Sequence, residues 1–135
     1  MAKKLKYSEI TEKILGAAFE VHSYLGNGFQ EVIYQRALAF EFNRSELSYE
    51  REIDQFIFYK DSDEPIGTRR ADFVVEDKVL VEIKALSKLN DVHIAQTLNY
   101  LKTYQFEVGL LINFGSKSLT FKRLVYSVNR DWNRR

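Results

Sequence analysis

The run from Arg70 to Ala85, Arg-Ala-Asp-Phe-Val-Val-Glu-Asp-Lys-Val-Leu-Val-Glu-Ile-Lys-Ala, restricts the fold more than any other part of the chain. Two β-forming segments flank the polar triplet Glu76-Asp77-Lys78, the pattern of a hairpin. The second segment, Val79 to Ala85, is apolar enough to be buried, yet it carries Glu82 and Lys84. Unpaired charges inside a buried strand are costly, and charges that break a strand's apolar pattern are expected where function overrides local consistency. Glu82 and Lys84 are two residues apart and so project to one side of the strand. Asp72 joins them only under a geometric condition. A two-residue turn at Glu76-Asp77 would set Asp72 opposite Val81, facing away from Glu82. A three-residue loop, or a bulge near it, is required to bring Asp72 and Glu82 to one face.

Other elements follow from spacing and turn chemistry. Ser8 is the expected cap of a helix to about Leu25, with Ile10, Ile14, Ala17, Val21 and Leu25 as its apolar stripe. Gly26-Asn27-Gly28 stops it. A second helix is expected from Phe29 or Gln30 to about Arg44, burying Val32 or Ile33, Ala37 and Phe40. Strands are expected over Leu47–Tyr59, Thr68–Val75 and Val79–Ala85, with Asp61 to Pro65 as a turn. Asn90 or Asp91 caps a third helix to about Tyr104, whose Ile94, Ala95, Leu98 and Leu101 side is assigned to the core. Strands over Glu107–Phe114 and Leu119–Ser127 complete the order. Three consecutive strands form a meander, and the later helix covers one face and delivers a further strand. The class is α/β, of mixed α+β type, in one domain spanning residues 1–135, a size that supports a hydrophobic core.

Composition limits the chemistry. There is no cysteine, so disulfides and thiolate metal sites are excluded and a cytoplasmic setting is expected. Any metal must use carboxylate, histidine or carbonyl ligands, which favours Mg²⁺ or Mn²⁺. No apolar stretch is long enough to span a bilayer, and no secretory h-region follows the first residues. The net charge of +1 provides no global basic footprint for nucleic acid. Basic residues gather near the ends, at Lys3, Lys4, Lys6, Arg130, Arg134 and Arg135, where solvated termini are the plainer reading.

Two carboxylates on one face, Asp72 and Glu82, can hold a hard divalent cation that polarises a phosphoryl group and lowers the pKa of a bound water. Lys84 beside them can orient or deprotonate that water, or stabilise negative charge in the transition state. The pattern is short, and an ion-paired strand in which Glu82 and Lys84 neutralise each other explains it equally well. Glu31 is a third acid, at the start of the second helix, where helix-dipole stabilisation is also a sufficient role. On the third helix His93, Gln96, Tyr100 and Tyr104 share one side. Gln96 and Tyr100 are candidates to contact a phosphate, a nucleotide or water at the site. Arg70 is a candidate phosphate ligand, although cross-strand pairing with a carboxylate is its plainer role.

Together these residues resemble the PD-(D/E)xK nuclease superfamily, and more closely its small GxxExxY proteins. Gly28-x-x-Glu31-x-x-Tyr34 matches that motif, preceded by His22-x-x-Leu25-Gly26-x-Gly28; Ile66 to Phe73 and Val79 to Lys84 resemble the central segment. The resemblance implies a restriction-endonuclease-like αβββαβ core, a central mixed sheet flanked by helices. It implies metal ligands at Asp72 and Glu82, Glu31 as the helix acid completing the site, and Lys84 as the catalytic lysine. Gln96 and Tyr100 match a Gln-x-x-x-Tyr motif of exonuclease-like members. Ala71 stands where many members have proline.

The leading expectation is therefore a Mg²⁺- or Mn²⁺-dependent nuclease, acting on DNA ahead of RNA, with metal at Glu31, Asp72 and Glu82 and with Lys84, Gln96 and Tyr100 completing the catalytic set. The alternative is a non-catalytic module that binds nucleic acid or protein on a nuclease-like fold, motivated by the near-neutral charge. A third reading is a homodimer formed through a strand edge or the aromatic helix side.

Overall fold

The computed structural model describes residues 5–127. Lys3 and Lys4, and Arg130, Arg134 and Arg135, lie outside them; Lys6 pairs with Glu107 at 2.6 Å. The order is α1 (Ser8–Leu25), α2 (Glu31–Arg44), β1 (Tyr49–Ile57), β2 (Gly67–Val75), β3 (Val79–Lys84), α3 (Asp91–Tyr104), β4 (Val108–Asn113) and β5 (Thr120–Val125). The strands form one sheet in the spatial order β1-β2-β3-β4-β5. It is mixed: β3 and β4 are parallel, joined over α3, and the other pairs are antiparallel.

Odd positions of β3 and even positions of β4 pack under α1 and α2, in a core with Ile14, Leu38 and Phe42. The other face is covered by α3, where Leu101 meets Ala71, Val74 and Leu80. Glu82 alternates with the buried odd positions of β3 and therefore lies on the α3 side. Among the described residues no helix is long and apolar enough to cross a membrane.

The structure departs from the sequence expectations in three places. Ser8 is the first helical residue and not the cap; the cap is Tyr7, in a left-handed conformation with no side-chain bond to the helix. The buried side of α2 is Tyr34, Gln35, Leu38, Ala39 and Phe42, while Phe40 is 61% exposed and Val32 is also exposed. Apolar residues run along both sides of this helix, so periodicity does not choose between them. Tertiary contacts do: the Tyr34 ring stacks on Phe114 at 4.8 Å, and its hydroxyl donates to the Gly26 carbonyl at 2.6 Å and accepts from the Phe29 amide at 3.2 Å. Those bonds fix the α1–α2 loop, in which Gly26 and Gly28 have positive φ.

On α3 the buried residues are Thr97 and Leu101, while Ala95 and Leu98 face solvent. Tyr100 and Tyr104 turn to the sheet instead. The Tyr104 hydroxyl donates to the Ile53 carbonyl at 2.5 Å and accepts from the Ala71 amide at 3.2 Å. These rings bury a large apolar area, and the Tyr104 hydroxyl keeps its hydrogen-bond partners at the sheet. His93 closes a capping box with Asn90 at the start of this helix.

Candidate active site

The hairpin meets the geometric condition set by its sequence. Val75 pairs with Val79, Val74 with Leu80 and Phe73 with Val81, so three residues, Glu76, Asp77 and Lys78, form the loop. Glu76 and Asp77 both have positive φ, and the Lys78 amide bonds the Val75 carbonyl, as in a turn whose twist suits a hairpin. One step further along this register, Asp72 stands opposite Glu82.

Backbone pairing gives way to side-chain bonds at that step. The Glu82 carboxyl accepts from the Asp72 amide at 3.3 Å, and the Asp72 carboxylate accepts from the Ile83 amide at 2.7 Å. Each acid thus satisfies an amide of the opposite strand. On the other side of β2 the ladder runs to Arg51↔Phe73 and resumes at Ile53↔Ala71. It skips Asp72 and Glu52, and Glu52 has a left-handed backbone within its strand.

Glu82 is only 4% exposed. Burial, and then the charge of Asp72, push its pKa up to about 9. Burial also raises the pKa of Asp72, against the opposing pull of the Ile83 amide, Gln35, Glu82 and Lys84. Lys84, at the end of β3, is half-buried and forms no ion pair with a carboxylate among the described residues. The neutralised Glu82–Lys84 strand is therefore not what forms. The Lys84 charge nonetheless reaches all three acids and lowers the pKa of each.

Glu31 opens α2 and remains exposed. Partial desolvation of its carboxyl, followed by the charge of Asp72, raises its pKa. A cleft of about 240 Å³ beside it is lined by Glu31, Val32, Gln35 and Glu52. Tyr100 reaches the site from α3: burial, then the Glu82 charge, raise the pKa of its hydroxyl. Gln96 is exposed, and its backbone carbonyl, not its amide group, accepts a bond from Arg69. His22 bonds the Ser116 carbonyl at 3.0 Å, a structural role.

Two further residues build the site. Gln35 donates from Nε2 to Asp72 Oδ1 at 3.1 Å, and Arg51 donates to Gln35 Oε1 at 2.8 Å. Arginine has only donors, so it fixes the amide with its NH₂ group toward Asp72. Gln35 was detectable in the sequence: it lies four residues after Glu31, on the same helix side. Arg51 was not, because it depends on how β1 and α2 pack.

Among the described residues no three acidic or histidine side chains converge into a metal cage. The Asp72–Glu82 pair nevertheless fits a hard cation. Two carboxylates held together with no ion-paired base suit Mg²⁺, which takes one or two carboxylates plus waters and substrate phosphates. The near-isosteric change Gln35→Met would strip Asp72 of a supporting donor and is expected to weaken Mn²⁺ binding by roughly 10-fold in calorimetry. An unchanged affinity would show that the Ile83 amide alone holds Asp72.

A family model described as PD-(D/E)XK nuclease superfamily matches residues 8–124. No curated protein matches the chain. Among solved structures, the crystal structure of SSO0001 superposes with a TM-score of 0.59 at 16% identity, covering 92% of this chain and 62% of that one. That likeness is one of fold: a five-stranded mixed sheet flanked by helices, of restriction-endonuclease-like type.

Proposed function

The chain belongs to the PD-(D/E)XK nuclease superfamily, and from that premise we propose that it is a metal-dependent phosphodiester hydrolase acting on DNA. The observation that carries this reading is the pairing of buried Glu82 with half-buried Asp72 through bonds across the hairpin, with Lys84 two residues further along β3. Within the superfamily, Gly28-x-x-Glu31-x-x-Tyr34 supports a place among the GxxExxY proteins.

Asp72 and Glu82 would hold Mg²⁺ or Mn²⁺, with Glu31 adding negative charge from the start of α2. When bound, the ion polarises the scissile phosphoryl group and acidifies a water. The protein's own contribution is placement. Gln35 and the Ile83 amide orient Asp72. The Phe114 amide bonds the Lys84 carbonyl at 2.8 Å and anchors the strand end; from there the Lys84 ammonium would orient the attacking water and stabilise charge on the phosphoryl oxygens. Tyr100, half-buried on α3, would shield the carboxylates from that side.

Single- and double-stranded DNA incubated with Mg²⁺ or Mn²⁺ tests the reading. Asp72→Asn and Lys84→Met are each expected to lower the cleavage rate at least roughly 100-fold, the scale for losing one preorganised electrostatic group. Cleavage that survives both changes would come from a contaminant and sink the proposal.

A further inference from the structure

Arg69 and Arg70 are neighbours on β2 with opposite commitments. Arg70 is exposed and engaged by carboxylates: Nε and Nη2 donate to Asp54 at 2.9 and 3.3 Å, and Glu52 lies 3.9 Å away. The plainer role expected for it from the sequence is the one it has. Arg69 is half-buried and has no carboxylate partner among the described residues. Its guanidinium lies over the Tyr100 ring, 4.5 Å from the centroid. One nitrogen donates to the Gln96 carbonyl at 3.4 Å, a long bond. A guanidinium has five donors in a planar fork, and most of that fork is uncommitted.

The position of Arg69 relative to the acids is informative. Tyr100 feels the charges of Glu82, Arg69, Asp72 and Glu31. Arg69 precedes Asp72 by three residues on β2 and lies over the Tyr100 ring. No carboxylate pairs with it among the described residues, so its open donors are available to a group bound at this part of the strand. Stacking on an aromatic face with the edge left open is an arrangement that suits arginine to bidentate phosphate contact.

We propose that Arg69 is a phosphate-binding subsite, clamping a backbone phosphate of a nucleic-acid strand next to the Asp72–Glu82 pair, with the Tyr100 ring and the Gln96 carbonyl as its cradle. The assignment rests on the hydrolase reading for its substrate. It gives the Gln96-x-x-x-Tyr100 spacing a physical meaning: one helical turn sets a carbonyl and a ring around the same guanidinium.

The test is fluorescence anisotropy of the full chain with a labelled short DNA duplex and the matching single strand, in Ca²⁺, over a range of salt. Arg69→Met is expected to weaken binding to both about 10-fold and to reduce the slope of log K against log salt by about one. Arg69→Lys keeps the charge but not the planar fork and is expected to lose part of the affinity while retaining the slope. Arg70→Met is expected to bind like wild type. Wild-type affinity and slope in both Arg69 variants would overturn the subsite, as would a wild-type protein that binds neither DNA. Cleavage by the wild type alongside unchanged binding in Arg69→Met overturns the subsite alone. Binding that depends on Arg69 without any cleavage in Mg²⁺ or Mn²⁺ overturns the hydrolase reading and leaves the subsite standing.

Discussion

Glutamine in place of Glu82 will stabilise the metal-free protein at pH 8 and abolish the DNA cleavage proposed for it. The Glu82 carboxyl is raised to about 9, first by burial and then by the charge of Asp72, whereas an unfolded glutamate titrates near 4.5. Between those values the folded state holds a proton that the unfolded state has released, so stability falls as pH rises. The contribution is complete below about 4.5 and is lost as pH passes through about 9. Glutamine is neutral throughout and removes this dependence. The gain at pH 8 is on the order of 4 kcal/mol, the cost of keeping the carboxyl protonated well above its unfolded pKa at about 1.4 kcal/mol per pH unit. Thermal unfolding in EDTA from pH 5 to 9 measures it: the wild-type Tm should decline with pH and the variant's should stay nearly level. Parallel profiles would mean that Glu82 is charged and well solvated in the folded protein. Mn²⁺ should reverse the order, stabilising the wild type and leaving the variant unmoved, since bound ligand adds to stability only where a site exists.

Gly115→Ala couples stability and activity in the same direction. A Cβ at this position would lie 2.3 Å from the Leu86 nitrogen and 2.4 Å from both the Ala85 carbonyl carbon and the Leu86 oxygen. These are backbone atoms and cannot rotate aside. They are also held from the other side: the buried Asn113 side chain accepts from the Leu86 amide at 2.8 Å and donates to its carbonyl at 2.9 Å. The expected cost is about 3 kcal/mol, at the upper end for overpacking, or a Tm lower by roughly 10 °C for a domain of this size. The displaced backbone is the exit from the strand that carries Lys84, so cleavage by the folded fraction should also drop. A variant within 1 kcal/mol of wild type in denaturant titration would show that the β3–α3 connection yields more easily than these bonds imply.

The sequence was legible where local pattern and global packing agree. All three helices and five strands fall where spacing and turn residues put them, and the parity of the hairpin identified the three-residue loop as the requirement that the register then met. It was not legible where both sides of a helix are apolar. The buried side of α2 is chosen by the bonds of Tyr34 to the glycine loop, and the sheet-facing side of α3 by the tyrosine hydroxyls. Neither is a property of the helix alone. The candidate site divides in the same way. Asp72, Glu82 and Lys84 were visible as charges in an apolar strand. Gln35 was half visible through its spacing from Glu31. Arg51 and Arg69 were hidden, because their roles depend on which elements cross in space; for Arg70, next in sequence, the plainer role of cross-strand pairing with a carboxylate is the one that its bonds to Asp54 show.

The interruption of β1 at Glu52 has a consequence beyond the site. β1 is an outer strand, and such a strand offers unpaired amides and carbonyls to any other chain. Its left-handed residue at Glu52, together with exposed Glu50, Arg51 and Asp54, breaks the straight, uncharged edge that intermolecular β-pairing requires. The distortion that frees Asp72 from its ladder thereby also guards the β1 edge against intermolecular β-pairing, so a substitution that straightens β1 would open that edge to pairing as well as crowd the carboxylate pair.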